Sequence, residues 1–319
     1  MSLLEAKSVT VRFQGHDDAG RRCLWAAVEG VSLSVAEGER VGIIGESGSG
    51  KTTLGKALLG LEPLAGGEVI FRGQNLSGMG GAVLESFRRG VQMIFQDPMG
   101  SLNPRLTVGS ALEEVLSVHQ LVPRLERKNR VRDLLRQVGL DSDYAGRYPH
   151  EFSGGQRQRI GIARGLALDP ALLVADEPVS ALDVSVQAQI LNLIRDLSVQ
   201  RGMALLLVAH DLAVVNYVCQ RVLIMYKGRV VEEGLTADVF GTPRHPYTQL
   251  LKSAVPDPDD FGVRSATPLQ IERTNPANYS NINGCPFAPR CRCAMQSCFT
   301  ECPDLKPLSA NRQVACHFV

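Results

Sequence analysis

Val41-Gly-Ile-Ile-Gly-Glu-Ser-Gly-Ser-Gly-Lys-Thr-Thr53 decides how the rest of the chain is read. The run before Gly45 is rich in β-branched residues and shows no alternation, which predicts a strand buried on both faces. Glycines 45, 48 and 50 with serines 47 and 49 predict a turn, and Lys51-Thr52-Thr53-Leu54 predicts the start of a helix. This is G-x-x-x-x-G-K-T in a strand–loop–helix setting, the pattern of a phosphate-binding loop. Glycine lets successive N–H groups turn toward oxygen atoms without a Cβ clash, and the helix N-terminus adds partial positive charge. Lysine at position 51 can reach β- and γ-phosphates, and the Thr52 hydroxyl can ligate Mg²⁺. Gly45, Glu46, Ser47, Gly48, Ser49, Gly50, Lys51, Thr52 and Thr53 are therefore the candidate nucleotide-binding residues. A chance glycine-rich turn is the alternative, and the strand and helix on its two sides argue against it.

The chain has 319 residues, enough for one large domain with an appendage or for two domains. Hydrophobic residues at 44% supply a core, and 21% charged residues do not describe a disordered chain. A net charge of +1 lacks the basic excess of a nucleic-acid binder. The start, Met-Ser-Leu-Leu-Glu, has no basic and apolar signal-peptide pattern, and no run approaches the ~20 apolar residues of a membrane span. A soluble chain in the cytoplasm is the expectation. Of eight cysteines, Cys23 and Cys219 stand alone, while 285, 291, 293, 298, 302 and 316 crowd together. In a reducing compartment such crowding suggests metal more than disulfides.

Residues 3–13 and Val28–Val35 predict two early strands with a polar loop, Gln14 to Arg22, between them. Two strands ahead of the phosphate loop suggest an antiparallel sheet layered on a nucleotide-binding core. Phe13 is placed either to stack on a base or to sit as an ordinary core aromatic. Glu68–Phe71 and Val91–Phe95 predict further strands, with Gln96 at the carboxyl edge of the second, where ligands gather in open α/β sheets. Val108–Val118 and Glu126–Val138 carry apolar residues at helical spacing, with Gly139 as the stop, and indicate a helical insert. Ser153-Gly154-Gly155-Gln156 opens a helix to Leu168, as an anion site or, more simply, as an N-cap. Ala171–Ala175 predicts a buried strand ending in Asp176-Glu177-Pro178. Paired carboxylates there suit a Mg²⁺-facing aspartate and a glutamate beside an attacking water. A helix from Ser180 to Gln200 and a strand from Met203 to Ala209 follow, and His210 ends that strand.

The order phosphate loop, Gln96, Phe-Ser-Gly-Gly-Gln at 152–156, Leu-Leu-Val-Ala-Asp-Glu-Pro at 172–178, Ser-Ala-Leu-Asp at 180–183, and His210 resembles the ATP-binding subunit of an ABC transporter. The resemblance covers residues 1 to about 240. It implies an α/β fold: a phosphate-loop ABC ATPase core with an antiparallel β subdomain and a helical insert at about 97–165. It implies that Phe13 stacks on adenine, that Thr52 and Gln96 meet Mg²⁺, and that Asp176 supports the ion. Glu177 would polarise the attacking water as general base, with Gln96 sensing that water and His210 touching the γ-phosphate. Ser153, Gly154, Gly155 and Gln156 would complete the ATP site of an opposite subunit, with Asp183 in the loop crossing between sites. Phe152 stands where leucine is commoner, an apolar exchange of little consequence.

Beyond residue 240, Thr242-Pro-Arg-His-Pro-Tyr-Thr248, a proline-containing linker from Val255 to Pro276 and the cysteine-rich residues 284–319 form a C-terminal extension, 241–319. These features are similar to the peptide and nickel importer branch. That likeness implies ATP-driven uptake of di- or oligopeptides, or a related solute such as nickel, from the cytoplasmic face of the cell membrane. The partners implied are a second ATPase subunit (a related chain or a copy of this one), two membrane permeases and, indirectly, an external solute-binding protein. The helical insert around Asp97 to Tyr148, directly after Gln96, is expected to dock the permease, with residues 101–106 as the contact. Cys285, Cys291, Cys298 and Cys316, at C-x5-C-x6-C-x17-C, match the branch's four recurring cysteines and imply a [4Fe–4S] cluster. Zinc is the rival, and a structural role for either metal suits a short proline-containing segment. A soluble ABC ATPase working on ribosomes or chromosomes is the competing class. One uninterrupted cassette without a basic patch argues against it.

Overall fold

The computed structural model describes residues 2–16, 20–78, 80–97, 100, 102–254 and 283–319. Strands β1 (Ser2–His16) and β2 (Arg22–Ala36) pair antiparallel and lead into β3 (Arg40–Ile44). Helix α1 (Lys51–Leu58) leaves the phosphate loop, and β4 (Gly66–Phe71), β5 (Gln74–Asn75) and α2 (Gly81–Gly90) follow. A first sheet of four strands has the order β2-β1-β4-β5 with every pairing antiparallel, as expected. Its first two strands run further than their apolar stretches. Gln14, Gly15 and His16 pair with Leu24, Cys23 and Arg22, because the backbone ladder continues past the part of the ribbon that packs on the core. The loop expected from Gln14 to Arg22 shrinks accordingly.

Strand β6 (Val91–Ile94) is followed by α3 (Val108–Val118), α4 (Arg127–Gln137) and α5 (Gly154–Leu166). Thr107 caps α3 by accepting from the Ser110 N–H. Helix α4 stops at Gly139, which has φ +72°. There the N–H groups of Gly139 and Leu140 reach back to the carbonyls of Arg136 and Leu135, a Schellman ending. Leu112, Leu116, Leu134 and Leu135 bury the contact between α3 and α4. The insert ends before α5 does, because the last turns of α5 lie on the main sheet. A Cβ at Gly165 would stand 3.4 Å from Leu173 and 3.6 Å from Ile94.

Strand β7 (Leu172–Asp176), α6 (Val184–Arg201), β8 (Ala204–Ala209), α7 (Leu212–Val218), β9 (Arg221–Tyr226) and β10 (Arg229–Leu235) complete the core. Helices α8 (Thr236–Gly241) and α9 (Pro246–Ser253) follow; then α10 (Gln296–Thr300), β11 (Lys306–Ser309) and β12 (Arg312–Val314) end the chain. The second sheet has the order β11-β12-β10-β9-β3-β8-β7-β6. Its five strands from β9 to β6 are parallel, and β7 and β8 are buried along their whole length. Lying between two layers removes the need for alternation, which is why these runs are apolar throughout. Strands β9 to β12 were not among the expected elements. The cysteine-rich tail adds to the core sheet through β12, which pairs antiparallel with β10. The linker from Val255 to Pro276 lies outside the described residues.

Candidate functional site

The carboxyl ends of β3, β6, β7 and β8 converge, so the phosphate loop, Gln96, Asp176-Glu177 and His210 meet at one edge of the parallel sheet. They border a cleft of about 510 Å³ lined by Ser47, Gly48, Gly50, Lys51, Thr52, Thr53, Gln96, Glu177, His210, Trp25 and Ala27. Gly50 has φ +97°, and a Cβ there would stand 2.1 Å from the Ala27 carbonyl, so no side chain fits at this point of the loop.

Lys51 is almost fully buried, and its ammonium donates to the carbonyls of Gly45 (2.8 Å) and Glu46 (2.9 Å). Burial lowers its pKa, and Glu177, Asp176 and Glu46 pull the other way. Thr52 Oγ1 donates to Asp176 Oδ1 at 2.9 Å. Burial raises the Asp176 pKa, opposed first by that same hydrogen bond. Hydroxyl, amide and carboxylate oxygens at Thr52, Gln96 and Asp176 form a hard donor set of the kind Mg²⁺ takes.

Glu177 Oε2 accepts from Gln96 Nε2 at 3.2 Å and lies 3.4 Å from His210 Nδ1. The Glu177 backbone is left-handed, φ +43°, an unusual state for a residue with a side chain. Its N–H donates to the Val208 carbonyl on the neighbouring strand at 2.9 Å, which fixes that conformation. The result is a carboxylate only 17% exposed, beside an open histidine, at the mouth of a phosphate-binding cleft.

Of its two expected places, base or core, Phe13 takes one beside the core. It packs against Trp25, ring centroids 5.5 Å apart, and it is Trp25 that lines the cleft. The extension of β2 back to Arg22 carries Trp25 opposite Phe13. Ser153, Gly154, Gly155 and Gln156 lie outside the lining of the cleft. Ser153 Oγ accepts from the Gln156 N–H, and Gln156 Oε1 accepts from the Ser153 N–H, a capping box that starts α5. Asp183 is the N-cap residue of α6. In the expected permease contact Ser101 lies outside the described residues, Leu102 is buried, and 103–105 are exposed.

In the tail, Cys285, Cys291, Cys293, Cys298 and Cys316 line one small cavity together with His245, Phe287 and His317. All eight cysteines are free thiols. Burial pushes the Cys291 thiol up to about 11 and raises Cys285 and Cys316 as well. Among the described residues no group of three or more His, Cys, Asp or Glu is arranged to hold a metal ion. The expected metal centre therefore has no preformed ion site in this segment.

Fold and cleft together define a phosphate-loop nucleoside triphosphatase of the ATP-binding-cassette type. A family model described as ABC transporter matches residues 28–180, and one described as the C-terminal region of oligopeptide/dipeptide transporters matches residues 231–298. The chain is 48% identical over 291 residues to the "Probable peptide ABC transporter ATP-binding protein y4tS" of Sinorhizobium fredii, covering 91% of this chain and 82% of that protein. It is 45% identical over 294 residues to the oligopeptide transport ATP-binding protein AppF of Bacillus subtilis, covering 91% of this chain and 89% of that one. The dimeric, post-hydrolysis ATP-binding cassette MJ0796 with ADP and Pi superposes with a TM-score of 0.65 at 30% identity, over 73% of this chain and 98% of that one. CbiO1 of Clostridium perfringens, part of the transporter complex cbiONQ, gives 0.64 at 25% identity, over 75% of this chain and 91% of that one. The chain belongs to the ABC transporter ATP-binding proteins, in the group that carries the oligopeptide transporter C-terminal region. Its chemistry is ATP hydrolysis for a transporter, and a cassette dimer with permease partners fits this family. No helix among the described residues is long and apolar enough to cross a membrane.

Proposed function

We propose that this chain drives uptake of di- or oligopeptides, or a related solute such as nickel, from the cytoplasmic face of the cell membrane. Two membrane permeases would form the path, with an external solute-binding protein delivering the cargo. The observation that carries the catalytic part is Glu177, held between Gln96 and His210 above the phosphate loop. Gly45 to Thr53 bind the phosphates of ATP, and Trp25, backed by Phe13, covers the base. Mg²⁺ would be held by Thr52 and Gln96, with Asp176 behind Thr52, and supplies charge neutralisation on the phosphates. Glu177 takes the proton of the attacking water as its oxygen bonds to the γ-phosphorus, and the bond to ADP breaks to leave phosphate. Gln96 orients that water and Glu177, and His210 holds the γ-phosphate. Ser153 to Gln156 serve the ATP site of the facing subunit, which explains why they lie outside their own chain's cleft. Residues 101–106 are the permease contact, a reading that the exposure of 103–105 supports.

For the tail we infer a structural [4Fe–4S] cluster on Cys285, Cys291, Cys298 and Cys316. These four thiols border a common cavity, and four thiolates are the ligand set such a cluster takes. Iron and sulfide analysis with a visible spectrum after anaerobic purification tests this. Colourless protein with stoichiometric zinc would overturn it. The transport reading is tested by co-purification with co-expressed permeases and ATP-dependent peptide uptake into vesicles. Failure to associate with any permease while hydrolysing ATP would favour the soluble alternative.

A further inference from the structure

All three polar functions of Glu46, the second residue of the phosphate loop, are committed. Its carbonyl accepts from the Lys51 ammonium at 2.9 Å. Its N–H donates to Tyr247 Oη at 2.8 Å. Its two carboxylate oxygens each accept from a different nitrogen of Arg290, both at 2.9 Å, a two-pronged fork. Tyr247 lies in α9 and Arg290 in the turn between Cys285 and Cys291, so the C-terminal segment grips the entrance of the nucleotide loop from two directions.

Arg290 is itself tightly placed. It donates to Tyr226 Oη at 3.3 Å, and its guanidinium lies over the rings of Tyr226 and Phe287. Phe287 packs in turn against Tyr226, Tyr247 and His245. The pairing with Glu46 raises the Arg290 pKa further, so the group stays charged. The loop entrance has no slack on its other side either, since a Cβ at Gly45 would stand 2.2 Å from the Met225 carbonyl.

We propose that Arg290 is a positioning residue of the ATP site, which neutralises Glu46 and so fixes the loop entrance in the form that accepts the nucleotide's phosphates. This rests on the reading that the loop binds ATP. Unpaired, the carboxylate would stand beside a polyanion and repel it, and would be free to turn toward Lys51 and compete for its ammonium. The fork removes both effects in the ground state. Its loss therefore falls on ATP binding and spares the chemical step, whose groups lie just past the carboxyl ends of β6, β7 and β8.

The test is ATP affinity and steady-state hydrolysis by the purified full-length chain and its Arg290→Met, Arg290→Lys and Glu46→Gln/Arg290→Met variants. Arg290→Met should raise the ATP Kd and KM by about tenfold with kcat nearly unchanged. Adding Glu46→Gln should recover most of that loss in ATP affinity. Arg290→Lys keeps charge without the fork and should fall between, and it reads the proposal even if the methionine variant folds poorly. Wild-type affinity in Arg290→Lys and Arg290→Met, or a loss that Glu46→Gln does not relieve, would overturn the proposal. A wild-type chain that binds no ATP would instead strike the function reading on which it rests.

Discussion

Phe13 stands directly opposite Trp25 across the antiparallel ribbon, and of the two rings it is the tryptophan that faces the nucleotide cleft. A ring 51% exposed at the cleft edge, supported from behind by a second ring, is arranged to stack on a base. Trp25→Ala should weaken ATP binding by roughly 1–3 kcal/mol, the usual worth of base–aromatic stacking. Phe13→Ala should cost less, because it only loosens the support. Trp25 is the sole tryptophan, so intrinsic fluorescence reads the stacking directly. A spectrum indifferent to saturating ATP would exclude contact between Trp25 and the nucleotide.

Glu177 and Lys51 should fail in opposite ways. Glu177→Gln keeps the shape and the hydrogen bonding to Gln96 but cannot take the water's proton. Turnover should fall by about 10²–10⁴-fold with ATP binding intact. Lys51→Ala removes the buried cation that Gly45 and Glu46 orient, so binding itself should be lost. Equilibrium binding beside phosphate release separates the two. Near-normal turnover in Glu177→Gln would remove it from its role.

The phosphate loop, Gln96, Asp176-Glu177 and His210 were legible in the sequence because each ends an apolar run whose neighbours in the sheet are themselves apolar. Local pattern and tertiary position agree there. Trp25 was not legible, because Arg22–Ala26 are held by a ladder to β1 that composition alone does not announce. Arg290 was hidden for a different reason. Its partner is 244 residues away in the chain, and a lone arginine between cysteines gives no sign of pairing with the loop. The join of β12 to β10 is equally non-local: Arg312 and Val314 show no strand pattern until Glu232 lies beside them.

His245 gives a pH dependence. It is buried, its Nδ1 accepts from the Tyr247 N–H at 3.0 Å, and burial lowers its pKa from 6.5 to about 4. In the unfolded chain the ring protonates near 6.5, so between that pH and 4 the unfolded state holds a proton that the folded state does not. Stability is then full above pH 6.5, falls as pH drops toward 4, and levels off below, by at most about 3 kcal/mol. His245→Asn should flatten this part of the curve relative to wild type, other titrating groups being shared. Urea unfolding at pH 7 and pH 4.5 makes the comparison, and equal slopes in both proteins would refute it.

A buried ion pair fastens the end of the tail to the core. Glu232 on β10 has no exposed surface and accepts from Arg312 Nε at 3.1 Å and from the N–H groups of Arg244 and His245. Arg312 on β12 also donates to the Thr242 hydroxyl at 3.2 Å. Removing the arginine leaves a buried carboxylate without its cation, a change that costs about 3–5 kcal/mol in comparable sites. Arg312→Met should therefore loosen the β10–β12 edge first, read as lost amide-exchange protection over residues 306–316 before the parallel strands are affected. Combining it with Glu232→Gln should return part of the stability, because the stranded charge is gone even though the ion pair is not restored. Through the same segment, Arg312→Met should also weaken ATP binding, since Arg290 depends on the tail's seating against β9. Protection unchanged across 306–316 in Arg312→Met would show that the strand pairing holds without the ion pair.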